Sequence, residues 1–283
     1  MSATALNPAS DEVVVRPLTG VTGAEIFGLR MDDGRQETAE FIKQAVLKHH
    51  VVAIRDQFLK PEDQLKFGAH LGPTTYTRML VRNTEWHDIY RVENKGKKLA
   101  LTEHWHTDGT TSERPPSFTI MAAQVLPRAG GDTMFANMVY AYETLSETFK
   151  GMLKGLRCKH GTNMANVPGW AAPDAKPVEA EHPIVRMIPE TGLLAIYAGA
   201  TNRYSSGWRW ISGMTREESD SILDFLSEHS LRNDGVYRHR WMPGDVVMWD
   251  NRTTLHCAPH DYGDEERTLN RLMIEGERPI GPA

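Results

Sequence analysis

The sequence predicts a mainly β protein, a sandwich, jelly roll or barrel with helices on its outside. Three observations carry this: short β-branched and aromatic runs recur between turn residues, helical spacing is confined to a few stretches, and no long apolar run interrupts them. Residues 1–12 lack periodicity and read as a disordered tail before a single domain spanning 13–283. "QETAEFIKQAVLKHHVVAI" sets Phe41, Ile42, Ala45 and Val46 at helical spacing, then turns to Val51, Val52 and Ile54, so a helix feeds a strand. In "KPEDQLKFGAHLG", Pro61 suits a first helical turn, acids follow it, and Gly72 closes a second helix. The runs "HDIYRVE", "SFTIMAAQV", "HPIVRM", "LLAIYA", "VYRHRW", "DVVMWD" and "LNRLMIE" are strands. Helical spacing returns in "VYAYETLSETFKGMLKGL" and, behind a Thr-x-x-Glu capping box, in "TREESDSILDFLSEHSL". Residues 163–181 and 203–214 are too irregular and too long for idle connections and are candidate lids. In the second, Trp208 and Trp210 either cover a pocket or pack on the barrel rim.

The composition narrows the functional classes. A chain of 283 residues, 40% hydrophobic and 24% charged, has ample apolar material for a core. Its formal net charge of -5 comes without a basic run, which disfavours nucleic acid or an anionic membrane as partner. Any anion must be met by a local cluster, so the expected partner is a small molecule. Cys158 and Cys257 are the two cysteines, too few for a disulfide framework and in keeping with a reducing compartment. With no transmembrane run or secretory leader in view, the expected location is the cytoplasm.

The chemistry concentrates in "TEHWHTDGTT", residues 102–111. If this segment is a strand, His106 and Asp108 lie two apart and share a face. His-x-Asp alone is a weak signal and needs a third ligand, for which His256 in "DVVMWDNRTTLHCAPHDY" is the candidate. Two imidazoles and one carboxylate leave coordination positions open, which suits non-haem Fe(II) and O2 chemistry. His104 shares the face of His106 and is expected to line the pocket. His49 and His50 read as cap or packing residues, and Cys257 as a buried, inert thiol. Trp105 and Trp249 flank the ligand segments. In "RTLNRLM", Arg267, Leu269 and Arg271 share a strand face. On an interior face, each guanidinium needs an anion; on an outer face, both are simply solvated, and pattern alone leaves the two open. "RAGGDT" reads as a turn feeding a strand, with Thr133 able to offer a hydroxyl inward.

Taken together, "WHTD" at 105–108, "GGDT" at 130–133, "WDNR" with His256 beyond it, and "RTLNR" at 267–271 resemble, in order and spacing, one family. It is the taurine dioxygenase and 2,4-dichlorophenoxyacetate dioxygenase family. The resemblance implies a double-stranded β-helix, the jelly-roll or cupin-like barrel, flanked by helices. It implies Fe(II) held by His106, Asp108 and His256 as the catalytic metal ligands, and O2 and 2-oxoglutarate as co-substrates. Thr133 and Arg267 would bind the distal carboxylate of 2-oxoglutarate, and Arg271 the anionic group of the prime substrate. Tyr76, Arg78, His104 and Ala200 are the expected pocket residues, and a homo-oligomer, dimer or tetramer, the expected assembly. Where the taurine enzyme contacts its sulfonate or amine through a His and a Tyr after the second short helix and an Asn before the metal motif, these stretches read "GPTTYTRML" and "TEHWHTD". This disfavours taurine, and Ala200 stands where that enzyme has a Phe, leaving room for a larger substrate. The implied reaction is hydroxylation of an alkyl sulfonate, alkyl sulfate, aryloxyalkanoate or similar carboxylate. 2-Oxoglutarate would be decarboxylated to succinate and CO2. The alternatives are a non-catalytic barrel sensing a small anion or metal, and a Zn-dependent hydrolase, for which no motif places a general base.

Overall fold

The computed structural model describes residues 13–75, 86–94, 103–163, 176–198 and 207–282. Along the chain come β1 (Val14–Pro17), β2 (Ala24–Phe27), α1 (Gln36–His49), β3 (Val51–Ile54), α2 (Pro61–Ala69), β4 (Thr74–Thr75), β5 (Ile89–Asn94) and β6 (Phe118–Val125). Then follow β7 (Thr133–Asn137), α3 (Met138–Glu143), α4 (Glu147–Leu153), β8 (Arg157–Thr162), β9 (Val178–Pro183), β10 (Val185–Met187), β11 (Leu194–Ile196) and β12 (Gly207–Ile211). The last elements are α5 (Arg216–Ser230), β13 (Val236–His239), β14 (Val246–Asp250), β15 (Thr254–Cys257) and β16 (Arg267–Ile274).

Strand parity assigns the layers. The large sheet has the order β1-β2-β3-β14-β6-β16-β4, with β5 on β16, and a smaller sheet has the order β13-β7-β15. In β14, Val246 and Met248 join the core beneath α1 and α2, whereas Val247 and Trp249 join a second core with Phe135 of β7 and Tyr237 of β13. Strand β3 alternates in the same way, Val52 and Ile54 against Val51 and Ala53. Both faces of the large sheet are therefore buried at its centre, so β3 and β14 read as nearly unbroken apolar runs. The core shared by the two sheets is the inside of a jelly roll. A third core lies on the far side of the small sheet, where α3, α5, β10 and β11 pack, and β12-β8-β9 forms a further sheet there.

The helices follow their local chemistry. Helix α1 ends at His50, whose φ of 69° breaks the repeat while its N–H still donates to the Val46 carbonyl. Helix α2 begins with Pro61, followed by Glu62 and Asp63 at the positive end of the helix dipole. Both halves of the α5 capping box form: the Glu218 N–H donates to Thr215 Oγ1 at 3.4 Å, and the Thr215 N–H to Glu218 Oε2 at 2.8 Å. Residues 139–156, expected as one helical stretch, hold two helices, α3 and α4. The Ser146 hydroxyl accepts from the Phe149 N–H and caps a fresh start.

The expected lid stretches are partly sheet: residues 178–183 form β9 and 207–211 form β12, both paired with β8. Trp208 and Trp210 are half exposed, their indole N–H groups donating to Glu179 Oε2 and the Met214 carbonyl. Residues 1–12, 164–175 and 203–206, and with them the tail and the remaining lid expectations, lie outside the described residues.

Several histidines are held neutral. His50, whose Nδ1 lies 3.2 Å from Thr253 Oγ1, is pushed down to about 4 by burial, and His160 to about 3 by burial beside His182. Released by unfolding, both take protons near pH 6.5. As pH falls from about 6.5 towards 4, the unfolded chain binds more protons than the native one, so stability falls. The expected melting temperature at pH 5 is lower than at pH 7.5 by on the order of 5 °C in calorimetry; equal values would mean that these imidazoles already carry protons in the folded protein.

Candidate active site

Within the segment expected to be a strand, the described residues 103–111 do not form one. His106 makes a single bridge to His256 of β15, and the chain then turns at Asp108 through Gly109, φ 65°. Asp108 therefore reaches the site by a turn rather than by strand alternation. The bridge is reciprocal: the His106 N–H donates to the His256 carbonyl at 2.9 Å, and the His256 N–H to the His106 carbonyl at 2.7 Å. It leaves the imidazole rings 4.1 Å apart, centre to centre. Asp108 completes the group, and one donor atom from each of the three side chains lies within 4.8 Å of the others.

Each member is prepared differently. His106 Nδ1 lies 2.7 Å from the His104 carbonyl, so this nitrogen carries the proton and Nε2 keeps its lone pair. Burial, reinforced by His106, pushes the His256 imidazole down to about 3, so it is neutral, and its buried Nδ1 has no hydrogen-bond partner among the described residues. Burial alone would raise the Asp108 carboxyl. The Arg271 guanidinium, the two imidazoles and a hydrogen bond from Thr119 outweigh it and hold the group at about 2. A neutral His256 imidazole, a His106 whose Nδ1 is committed to a carbonyl, and an ionised carboxylate fit a divalent cation, which needs deprotonated ligands.

The turn between β14 and β15 brings His256 in. Arg252 is fully buried; its Nε and Nη2 each bond the Asp250 carboxylate at 2.9 Å, and its Nη1 reaches Glu190 at 2.8 Å. Such a pair holds a turn firmly, because losing either partner strands a buried charge at a cost of about 3–5 kcal/mol. Trp249 packs its indole 4.9 Å from the His256 ring, whereas Trp105 packs against the core beyond the small sheet. Cys257 is buried, with its thiol pushed up to about 11 by burial.

Strand β16 settles the arginine question in favour of the interior. Leu269 belongs to the core between the sheets, and Arg267 and Arg271 share its parity. Arg271 Nη1 pairs with Asp108 Oδ1 at 3.2 Å, and its guanidinium lies 5.0 Å over the Tyr90 ring. Arg267 is 5% exposed, is lowered by burial, and has no carboxylate in ion-pair contact among the described residues. Its Nε donates to the Gly131 carbonyl at 2.8 Å and its Nη2 to Thr133 Oγ1 at 3.3 Å. Trp241, which sequence reasoning missed, donates its indole N–H to the same oxygen at 3.0 Å. With both lone pairs of Thr133 Oγ1 engaged, its hydroxyl proton is left to donate. A buried guanidinium thus lies beside a hydroxyl whose proton is uncommitted.

His104, an expected pocket residue, is half-buried and supplies its carbonyl to His106. Tyr76, Arg78 and Ala200 lie outside the described residues. Thr119 and Asn251 were also missed, although a polar residue at the parity of Met121 inside an apolar strand run was the available signal for Thr119.

A jelly roll with a candidate metal centre and a buried Arg267 that meets no carboxylate among the described residues points to a class of protein. Residues 15–273 match the family described as taurine catabolism dioxygenase TauD, TfdA family. An alkylsulfatase from Acinetobacter baylyi is 32% identical over 97% of this chain and 88% of its own. An alpha-ketoglutarate-dependent sulfate ester dioxygenase from Pseudomonas putida is 32% identical over 99% and 95%. The crystal structure of a taurine dioxygenase from Burkholderia xenovorans superposes with a TM-score of 0.82 at 33% identity, covering 95% of this chain and 93% of that one. The chain belongs to the TauD/TfdA dioxygenase family.

Gly131 tests how tightly the surroundings of Arg267 are built. Its φ is 69°, and a Cβ there would lie 3.0 Å from Arg267 Cδ. Gly131→Ala is expected to lose about 1–3 kcal/mol in urea unfolding, from the left-handed backbone and the displaced guanidinium; an unchanged midpoint would mean that the turn relaxes freely.

Proposed function

We propose that this protein is an Fe(II)- and 2-oxoglutarate-dependent dioxygenase that hydroxylates a small organic anion, with a sulfate ester or sulfonate as the leading substrate class and an aryloxyalkanoate as the next. The convergence of His106, Asp108 and His256 inside the barrel is the observation that carries this reading. Membership of the dioxygenase family supports it, as do the sulfate ester dioxygenase and alkylsulfatase relatives. In this reading His106, Asp108 and His256 hold the metal. The bound Fe(II), with O2 and 2-oxoglutarate, supplies oxidising chemistry that releases succinate and CO2 and inserts one oxygen into a substrate C–H bond.

The chain's own residues bind and orient. Arg267 and the donating hydroxyl of Thr133 take the distal carboxylate of 2-oxoglutarate, while Trp241 keeps that hydroxyl turned outward. Arg271, held over Tyr90, takes the substrate anion, with His104, Tyr76, Arg78 and Ala200 as pocket residues. Gripping the anion places a neighbouring carbon towards the metal. Hydroxylation beside a sulfate or aryl-ether oxygen then yields a product that falls apart on its own. Cys158 and Cys257, both free and buried, support a reducing, cytoplasmic location, and no helix among the described residues is long and apolar enough to cross a membrane. A homo-oligomer is part of the same proposal, as is one catalytic domain over residues 13–283.

Succinate release from 2-oxoglutarate should depend on both added Fe(II) and an alkyl sulfate; release independent of metal would overturn the proposal. Arg267→Ala should raise the KM for 2-oxoglutarate at least about tenfold, and Arg271→Ala should do so for the prime substrate, since charge-assisted bonds are worth roughly 1.5–3 kcal/mol. Equal effects on both substrates would end that division of roles. Trp241→Phe, which removes one donor from Thr133, should raise the 2-oxoglutarate KM about threefold to tenfold with kcat nearly unchanged.

A further inference from the structure

The Asp108 carboxylate stands at the end of a directed chain of hydrogen bonds. Trp249 Nε1 donates to Asn251 Oδ1 at 2.9 Å, Asn251 Nδ2 to Thr119 Oγ1 at 2.8 Å, and Thr119 Oγ1 to Asp108 Oδ2 at 2.9 Å. All four side chains are buried, with Thr119 0%, Trp249 1% and Asn251 1% exposed. The fold makes the chain possible: Thr119 of β6 sits directly opposite Trp249 of β14, and Asn251 is the first residue past the end of β14. Asn251 is itself fixed by its backbone, its N–H donating to the Ser117 carbonyl at 2.8 Å and its carbonyl accepting from Thr107 Oγ1 at 2.7 Å.

The direction of each bond is forced by the first. An indole N–H can only donate, so Asn251 must turn its oxygen to Trp249 and its NH2 to Thr119. Thr119 then accepts from Asn251, and its own proton is left for Asp108. The other oxygen, Oδ1, is met by Arg271. Both carboxylate oxygens are thus held from opposite sides.

We propose that Thr119 and Asn251, anchored by Trp249, are positioning residues that orient the Asp108 carboxylate and thereby set the metal affinity of the site. The proposal rests on His106, Asp108 and His256 being metal ligands. Groups that hydrogen-bond a metal's ligands typically govern affinity by 10–100-fold.

The test titrates purified apoprotein with Mn(II), reading free Mn(II) by its electron paramagnetic resonance signal. Thr119→Val keeps the β-branched shape and removes the donor; it should weaken Mn(II) binding by about 10–100-fold. Thr119→Ser restores the hydroxyl and should return affinity to within about threefold of the unaltered protein, a rescue that follows the donor rather than the packing. Asn251→Asp offers Thr119 a competing acceptor, so the hydroxyl proton turns away from Asp108 and affinity should fall as in Thr119→Val. If Thr119→Val does not fold, Asn251→Asp carries the same decision. Unaltered affinity in a folded Thr119→Val or Asn251→Asp would overturn the relay while leaving the metal site standing. Absence of Mn(II) binding by the unaltered protein would overturn the metal site and the relay with it.

Discussion

The pair of backbone hydrogen bonds between His106 and His256 is the constraint on which the site depends. These residues are far apart in the chain, and neither His-x-Asp nor "WDNR" specifies that they meet. The two bonds dock the 103–109 segment onto the edge of the small sheet and fix the separation of the two imidazoles. With backbone rather than side chains holding the geometry, the rings are free to spend their nitrogens elsewhere. His106 commits one nitrogen to its own chain, which selects its tautomer without any further residue.

Around that bridge the barrel places an unusual amount of buried charge, and each charge is answered differently. Arg252 is matched by Asp250 and Glu190 and serves the turn that delivers His256. Arg271 is matched by Asp108, so the carboxylate stays ionised in a setting where burial alone would favour its protonation. Arg267 has only neutral oxygens from Gly131 and Thr133 among the described residues. A desolvated guanidinium with neutral partners is costly, and an incoming carboxylate relieves that cost. In the proposed reading, affinity for an anion is built into the apolar interior rather than added at the surface.

Legibility in the sequence followed how far each feature depends on its neighbours in the chain. The α5 capping box, Pro61 at the start of α2 and the period-two pattern of "RTLNRLM" are local, and all three formed as read. Strand β8, "RCKHGT", escaped notice because its buried face carries Cys158 and His160, and a histidine on the inward face hides the alternation. The split of α3 and α4 was missed because helical spacing continues across Ser146, although Ser146 itself is extended and starts a new helix there.

By itself, the sequence determined the mainly β class, helices α1, α2 and α5 with the α5 capping box, the three candidate ligands and the shared face of Arg267 and Arg271. Each of these follows from spacing along one segment, or from several short motifs in a set order. Only the tertiary structure decided that this face is the interior, that Asp108 arrives by a turn, that Trp241 bonds Thr133, and that Asn251 bonds Thr119 and Thr119 bonds Asp108. The reason is physical: burial and hydrogen-bond direction are properties of strands that pair across the barrel, and nothing within one strand encodes which neighbour it will face.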